Sequence, residues 1–388
     1  MSGSAFPRVG HVAMAAGLAV SLLAGMAQTG AHADDSSGFL STIRRRVPLT
    51  SSVPDNGDQN PYALVVAPVS AGIIQKNDVL IDNFNDQNNL QGLGTTIVDY
   101  NPTTRKTTLF AKLPRHLTQC PGGVGLTTAM VMLQSGWVIV GSTPSNDGTT
   151  RTLGHGCLMV INPNGQLVGA LAGANIDGPW GNMALVDRGA TATLFVSNAG
   201  IDVPSFTVRD PATGEPVVIN KATVVRLDLS IAPQQPPVVT RQTVVADGFG
   251  QQADKGVFLI GPTGLAIAPD DTLYISDAIG NSIAAVDHAS TRTTSAGRGR
   301  QVTQGGLLRR PLAMAMTPGG HLLVTNGLNG QVVEIDPKSG KQLFAQWVDA
   351  NRAQTPPGNG DLFGIAITPD GQGFYYVADE LNMVYVAH

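Results

Sequence analysis

Apolar residues along this chain come in short runs of about five to eight, each closed by Pro, Gly, Asn or Asp. Three stretches repeat one another. The first is Gly261-PTGLAIAPDDTLYISDAIGNSIAAVD, ending at Asp287, and the second is Arg310-PLAMAMTPGGHLLVTNGLNGQVVEID, ending at Asp336. The third is Asp361-LFGIAITPDGQGFYYVADELNMVYVA, ending at Ala387. Each reads as apolar strand, Pro-led turn, apolar strand, Asn or Asp, short polar loop, apolar strand. The turn prolines Pro269, Pro318 and Pro369 stand about fifty residues apart, the spacing of propeller blades. Pro-Asp-Asp, Pro-Gly-Gly and Pro-Asp-Gly each suit a tight reversal between strands.

Weaker copies begin near Asn60, Gly123 and Gly181, so the pattern predicts an all-β, six-bladed β-propeller over residues 34–388. A four-stranded blade cannot bury both faces alone and needs neighbours. Residues 201–220 interrupt the third copy and read as an inserted loop or hairpin. The last copy has three strands only. The stretch Phe39 to Val53, inside an N-terminal segment 34–59 with no partner of its own, is expected to supply its outermost strand and close the ring.

Residues 1–33 read as a cleaved signal peptide. Arg8 gives a positive start, an apolar run spans Val12 to Met26, and Ala31-His32-Ala33 is a small-x-small cleavage pattern. The run is too short for a stable membrane span. The expected location is therefore the periplasm or the extracellular space. Cys120 and Cys157 are the two cysteines, and in an exported chain an even count points to a disulfide.

A formal net charge of −4, one unit more negative without Arg8, argues against nucleic acid or an anionic membrane as the main partner. Aromatics are too sparse for base stacking. There is no GxSxG elbow, P-loop, HExxH or CxxCH. His155, His288 and His321 are isolated in sequence and read as surface or turn histidines.

Propeller geometry collects on one face the loops that enter each innermost strand and those that leave each second strand. On the entering side are Asn60, Tyr62, Trp180, Asn182, Asp361 and Phe363. On the leaving side are Asn83, Asn85, Asn198, Asp277, Asn326 and Asp379. One channel mouth is thus expected to carry a ring of Asn and Asp with a few aromatics. Each such side chain either caps its own turn or turns an oxygen towards a polar ligand or a hard cation.

The unit Gly264-LAIAPDDTLYISDAIGNSI, with Asp277 and Asn281, resembles the NHL-repeat propeller unit, although Asn326 stands where an Asp is usual. The whole chain resembles exported NHL-like bacterial propellers and, more distantly, the six-bladed gluconolactonase and regucalcin-like superfamily. That resemblance implies a divalent metal, Ca²⁺ for example, at the channel mouth. Asn182 and Asp361 stand at comparable positions, and no Glu matches the N-terminal ligand. The reading favours a monomeric binding protein over an enzyme, holding a small polar ligand, a glycan or a partner protein on one propeller face. The alternative is a metal-dependent hydrolase or lactonase.

Overall fold

The computed structural model describes residues 1–3 and 38–388, apart from Ala174. Save its first three residues, the expected leader lies outside the described part. The chain forms six antiparallel sheets arranged as the blades of a β-propeller. Blade 1 comprises Gln59–Val66, Val79–Asn85, Thr96–Asn101 and Lys106–Lys112, from the innermost strand outward. Blade 2 comprises Leu126–Met132, Val138–Ser142, Cys157–Ile161 and Leu167–Leu171. Blade 4 comprises Pro262–Ile267, Leu273–Asp277, Ser282–Val286 and Arg300–Gln304. Blade 5 comprises Pro311–Met316, Leu322–Asn326, Gln331–Asp336 and Lys341–Trp347.

Blade 3 is the irregular one. Ala184–Asp187 and Thr191–Asn198 are followed by residues 201–218, a loop carrying the bridge Arg209–Pro216. Two long strands, Ile219–Ser230 and Val238–Asp254, then form a bulged hairpin, and Phe258–Ile260 adds a fifth strand along Gln252–Asp254. The repeat pattern gave no sign of this fifth strand.

Blade 6 is built from both ends of the chain. Leu362–Ile367, Phe374–Ala378 and Met383–Ala387 supply three strands, and Arg46–Ser51 pairs antiparallel with Met383–Ala387 as the fourth. The register slips at Pro48, which has no N–H to give and is tolerated on an outer edge. The residues just before this strand dock on blade 5. Phe39 and Leu40 donate their backbone N–H groups to the two carboxylate oxygens of Glu334, both at 2.8 Å. Leu40 and Ile43 are buried there. The ring is therefore sealed by a strand pair and by a buried carboxylate that receives two backbone donors.

Hydroxyls near the ends of second strands lock one blade to the next. Ser276 Oγ accepts the Gly264 N–H at 2.6 Å and donates to the Leu312 carbonyl of blade 5 at 2.7 Å. Thr325 Oγ1 lies 3.2 Å from the Phe363 carbonyl of blade 6. Small polar residues thus take positions between apolar sheets because the innermost backbone edges need partners.

Candidate functional site

At the end of the channel where the entering and leaving loops gather, five aromatic rings close the axis. Tyr62 stacks between Phe363, 3.9 Å away centroid to centroid, and Phe84, at 4.4 Å. Trp180 meets Tyr62 and Phe84 edge-on at 6.1 and 5.6 Å. Phe258 completes the group, 5.3 Å from Phe84. All five are buried. Phe258 reaches this place from the extra strand of blade 3 with φ at +66°, a left-handed backbone that is costly for a bulky residue. Tyr62 and Trp180 are thus parts of an aromatic plug, and their placement gives packing energy in place of an open mouth.

The Asn and Asp residues of the expected ring mostly serve the backbone. Asn326 accepts from the Arg309 N–H at 2.9 Å and donates to the Leu307 carbonyl at 3.1 Å. Asp277 accepts from the Gly280 N–H at 2.8 Å and pairs with Arg298. Asn83 donates to the Ser52 carbonyl at 2.9 Å, and Asn85 donates to Asn89 at 2.7 Å. Asn60, at φ +62°, gives its backbone N–H to Asn382 of blade 6.

Asn182 points elsewhere. Its Nδ2 donates to the Leu265 carbonyl at 2.9 Å, and its Oδ1 receives the Leu265 and Met314 N–H groups at 3.3 and 3.1 Å. It ties the innermost strands of blades 4 and 5 together. It also lines the opposite half of the channel, a space of about 400 Å³ walled by residues such as Leu64, Met130, Leu265 and Ile365.

Asp361 accepts from Asn351 at 3.3 Å and from Gln354. Burial and a hydrogen bond with the Asp349 carboxyl push it up to about 7. Asp379 is fully enclosed, and burial, then Glu380 and Asp361, hold its carboxyl well above the usual range.

Asn182 and Asp361 do not fit the divalent ion that the resemblance implies, whereas Asn83, Asn85 and Asp379 each keep a buried side-chain oxygen with no hydrogen-bond partner. Asn182 spends its amide oxygen on two backbone donors, whereas the partners of Asp361 belong to its own loop. Burial and neighbouring carboxyls raise both Asp361 and Asp379. Among the described residues, no group of three or more His, Cys, Asp or Glu side chains is placed to hold a metal.

The same face has a second concavity, off the axis on blade 3. It encloses about 200 Å³ and is lined by Asp177, Asn198, Asp202, Lys221, Thr223 and Gln251, among others. Gln251 braces its wall by accepting the Gly200 N–H at 2.7 Å and donating to the Ile201 carbonyl at 2.9 Å. Asn198 is only 7% exposed. Its Oδ1 accepts the Asp177 N–H at 3.3 Å, while its buried Nδ2 has no hydrogen-bond partner. Lys221 and Asp202 pair at 2.9 Å across the rim. His155 Nδ1 stands 2.7 Å from Asp177 Oδ1.

Of the expected ring, only Asn198 lines this cleft. Asp177, Lys221, Asp202 and the His155 partnership were not expected. His155 and Asp177 are 22 residues apart in sequence. They meet because the Gly156 N–H donates to the Asp177 carbonyl at 2.6 Å, which sets blade 2 against the loop before blade 3. The cysteines are joined, as expected, in a Cys120–Cys157 disulfide.

A scan of the sequence against protein-family models finds no match. A search of curated proteins finds none either. The fold, by contrast, has many counterparts among solved structures. One is a gluconolactonase from Xanthomonas campestris, 13% identical, with a TM-score of 0.52 over 89% of this chain and 97% of that one. A luciferin-regenerating enzyme is 12% identical, with a TM-score of 0.52 over 88% and 95%. The PQQ-bound aldose sugar dehydrogenase of Streptomyces coelicolor is 14% identical, with a TM-score of 0.52 over 89% and 98%. Identities this low speak to architecture alone. The chain has the six-bladed propeller fold of the gluconolactonase-like proteins, as its distant sequence resemblance implied.

Proposed function

We propose that this protein binds a small polar lactone or ester in the blade 3 cleft and hydrolyses it. The observation that carries the reading is the cleft itself: a polar hollow lined by Asp177, Asp202, Lys221 and Thr223, with the His155–Asp177 pair at its edge. The fold shared with a gluconolactonase supports lactones as the first substrates to try.

The chemistry follows from the donor set. With Nδ1–H donated to Asp177, His155 keeps Nε2 free as a base. It takes a proton from water as the hydroxide adds to the carbonyl carbon. The developing oxyanion is met by the Lys221 ammonium. The ring C–O bond then breaks, and the imidazolium returns its proton to the leaving alkoxide. Export of the chain, which Ala31-His32-Ala33 implies, belongs to this reading, and the Cys120–Cys157 disulfide supports it.

The test is turnover of a panel of sugar lactones and short esters, followed by acid release. Turnover is expected, and His155→Ala should lower it by about 10²–10⁴-fold. Saturable binding that Asn198→Ala abolishes, with no turnover, would leave the cleft as the site of a binding protein. The absence of both binding and turnover would overturn the assignment.

A further inference from the structure

We propose that the half of the channel beyond the aromatic plug is a blind well that takes up an uncharged, apolar molecule of two- or three-ring bulk. The well opens on the face away from the blade 3 cleft, and it stands or falls apart from the hydrolysis proposed there.

The walls are the innermost strands themselves. Each starts near the plug and runs away from it. In blade 1, Tyr62 belongs to the plug, and Val66 stands four residues further on in the same strand. At the rise of an extended strand that separates the two by roughly 13 Å. The space of about 400 Å³ lies along this length. Half-buried Val66, Leu185, Ile267, Met316 and Ile367, one from each of five blades, ring it towards its open end. Buried Met130 and Met314 line it deeper. Among the described residues, no charged side chain lines it.

Its two polar side chains are Asn182 and Thr128, and both are occupied. Asn182 is spent on the backbone of Leu265 and Met314. Thr128 Oγ1 donates to the Trp180 carbonyl. A confined water needs about two to four polar partners, and the side chains lining the well leave none free. Water held so poorly is displaced with a gain when an apolar group replaces it.

Size selects the class of ligand. An apolar cavity of about 150 Å³ takes up benzene. A well of about 400 Å³ is between two and three times as large, which suits two or three rings. It also falls in the range of roughly 300–1,000 Å³ common to small-molecule sites with mostly apolar walls. A charged group in the well would lose its hydration with no partner there to replace it. The stacked rings of Tyr62 and Phe363 close the far end, and the unbranched methionines let the wall adapt to the shape of what enters.

The experiment titrates the full chain with N-phenyl-1-naphthylamine, an uncharged three-ring fluorophore that brightens in apolar surroundings. Methionine methyl resonances are followed in the same titration, with Met130, Met314 and Met316 assigned from the signals lost in M130L, M314L and M316L. Saturable brightening at one probe per chain is expected, with those three methyl signals moving as the well fills. Met316→Lys, which sets an ammonium group at the half-buried mouth, should weaken binding tenfold or more while circular dichroism stays unchanged. If M316K does not fold, the methyl shifts of the wild-type protein decide. Absence of saturable binding would overturn the proposal. So would binding that leaves Met130, Met314 and Met316 unmoved, because the probe would then sit elsewhere on the chain. Lactone turnover does not enter either readout, so its presence or absence leaves this result as it stands.

Discussion

Asp82, in the second strand of blade 1, accepts the Ala63 N–H at 2.7 Å through one oxygen, and its other oxygen has no partner. Burial pushes this carboxyl up to about 8. Burial likewise pushes Asp99 and Asp361 up to about 7. In the unfolded chain such groups ionise near pH 4. The folded state therefore keeps protons that the unfolded state releases, and the stability these acids lend is full below about pH 4. It is lost as pH rises towards 7–8. Melting temperature should accordingly fall between pH 5 and pH 8.5, and D82N should flatten that fall. Each kcal/mol recovered at pH 8 should raise the midpoint by about 2–4 °C. A melting curve independent of pH would refute this. The plug makes a second residue-scale prediction. Trp180→Ala should cost about 3–5 kcal/mol in denaturant titrations. Tyr62→Phe should cost little or stabilise, because the buried Tyr62 hydroxyl has no partner to lose.

Among the elements, the closing strand was legible because the last copy of the repeat has three strands and Phe39 to Val53 had no other partner. The blade 3 hairpin was not. Its strands run continuously through Gly248 and Gly250, where a reading from residue types places turns. Phe258 was invisible for a related reason. Its role depends on a left-handed φ that bulky side chains avoid, and the surrounding fold imposes it. Removing residues 38–53 should bare the edge of Met383–Ala387 and strip Glu334 of both backbone donors. The expected outcome is a protein that elutes as aggregates in size-exclusion chromatography and unfolds without a cooperative transition. A monomeric, cooperatively folding truncate would show that the ring closes without its clasp.

Across the whole molecule, the features that revealed the fold are poor guides to the site. Pro turns and Asn or Asp at strand ends recur from blade to blade because turns recur, with blade 2 ending its second strand at Ser142 instead, and Asn326 and Asp277 spend their side chains on those turns. The candidate site sits instead where the blades differ, in the long loop and hairpin of blade 3 and in a register that joins His155 to Asp177. No spacing in one sequence announces such a meeting. The plugged axis also bears on metal binding. Millimolar Ca²⁺ should leave the melting temperature within about 1 °C, since only a ligand of the native state stabilises it. A rise of several degrees would show that a cation site exists after all.

The most direct test of where this propeller works is a crystal structure with a non-hydrolysable lactam analogue of a sugar lactone. The ligand should lie in the blade 3 cleft, its carbonyl oxygen within reach of Lys221, with Trp180 and Phe258 unmoved. A ligand seated on the axis, with Phe258 displaced to admit it, would contradict the account.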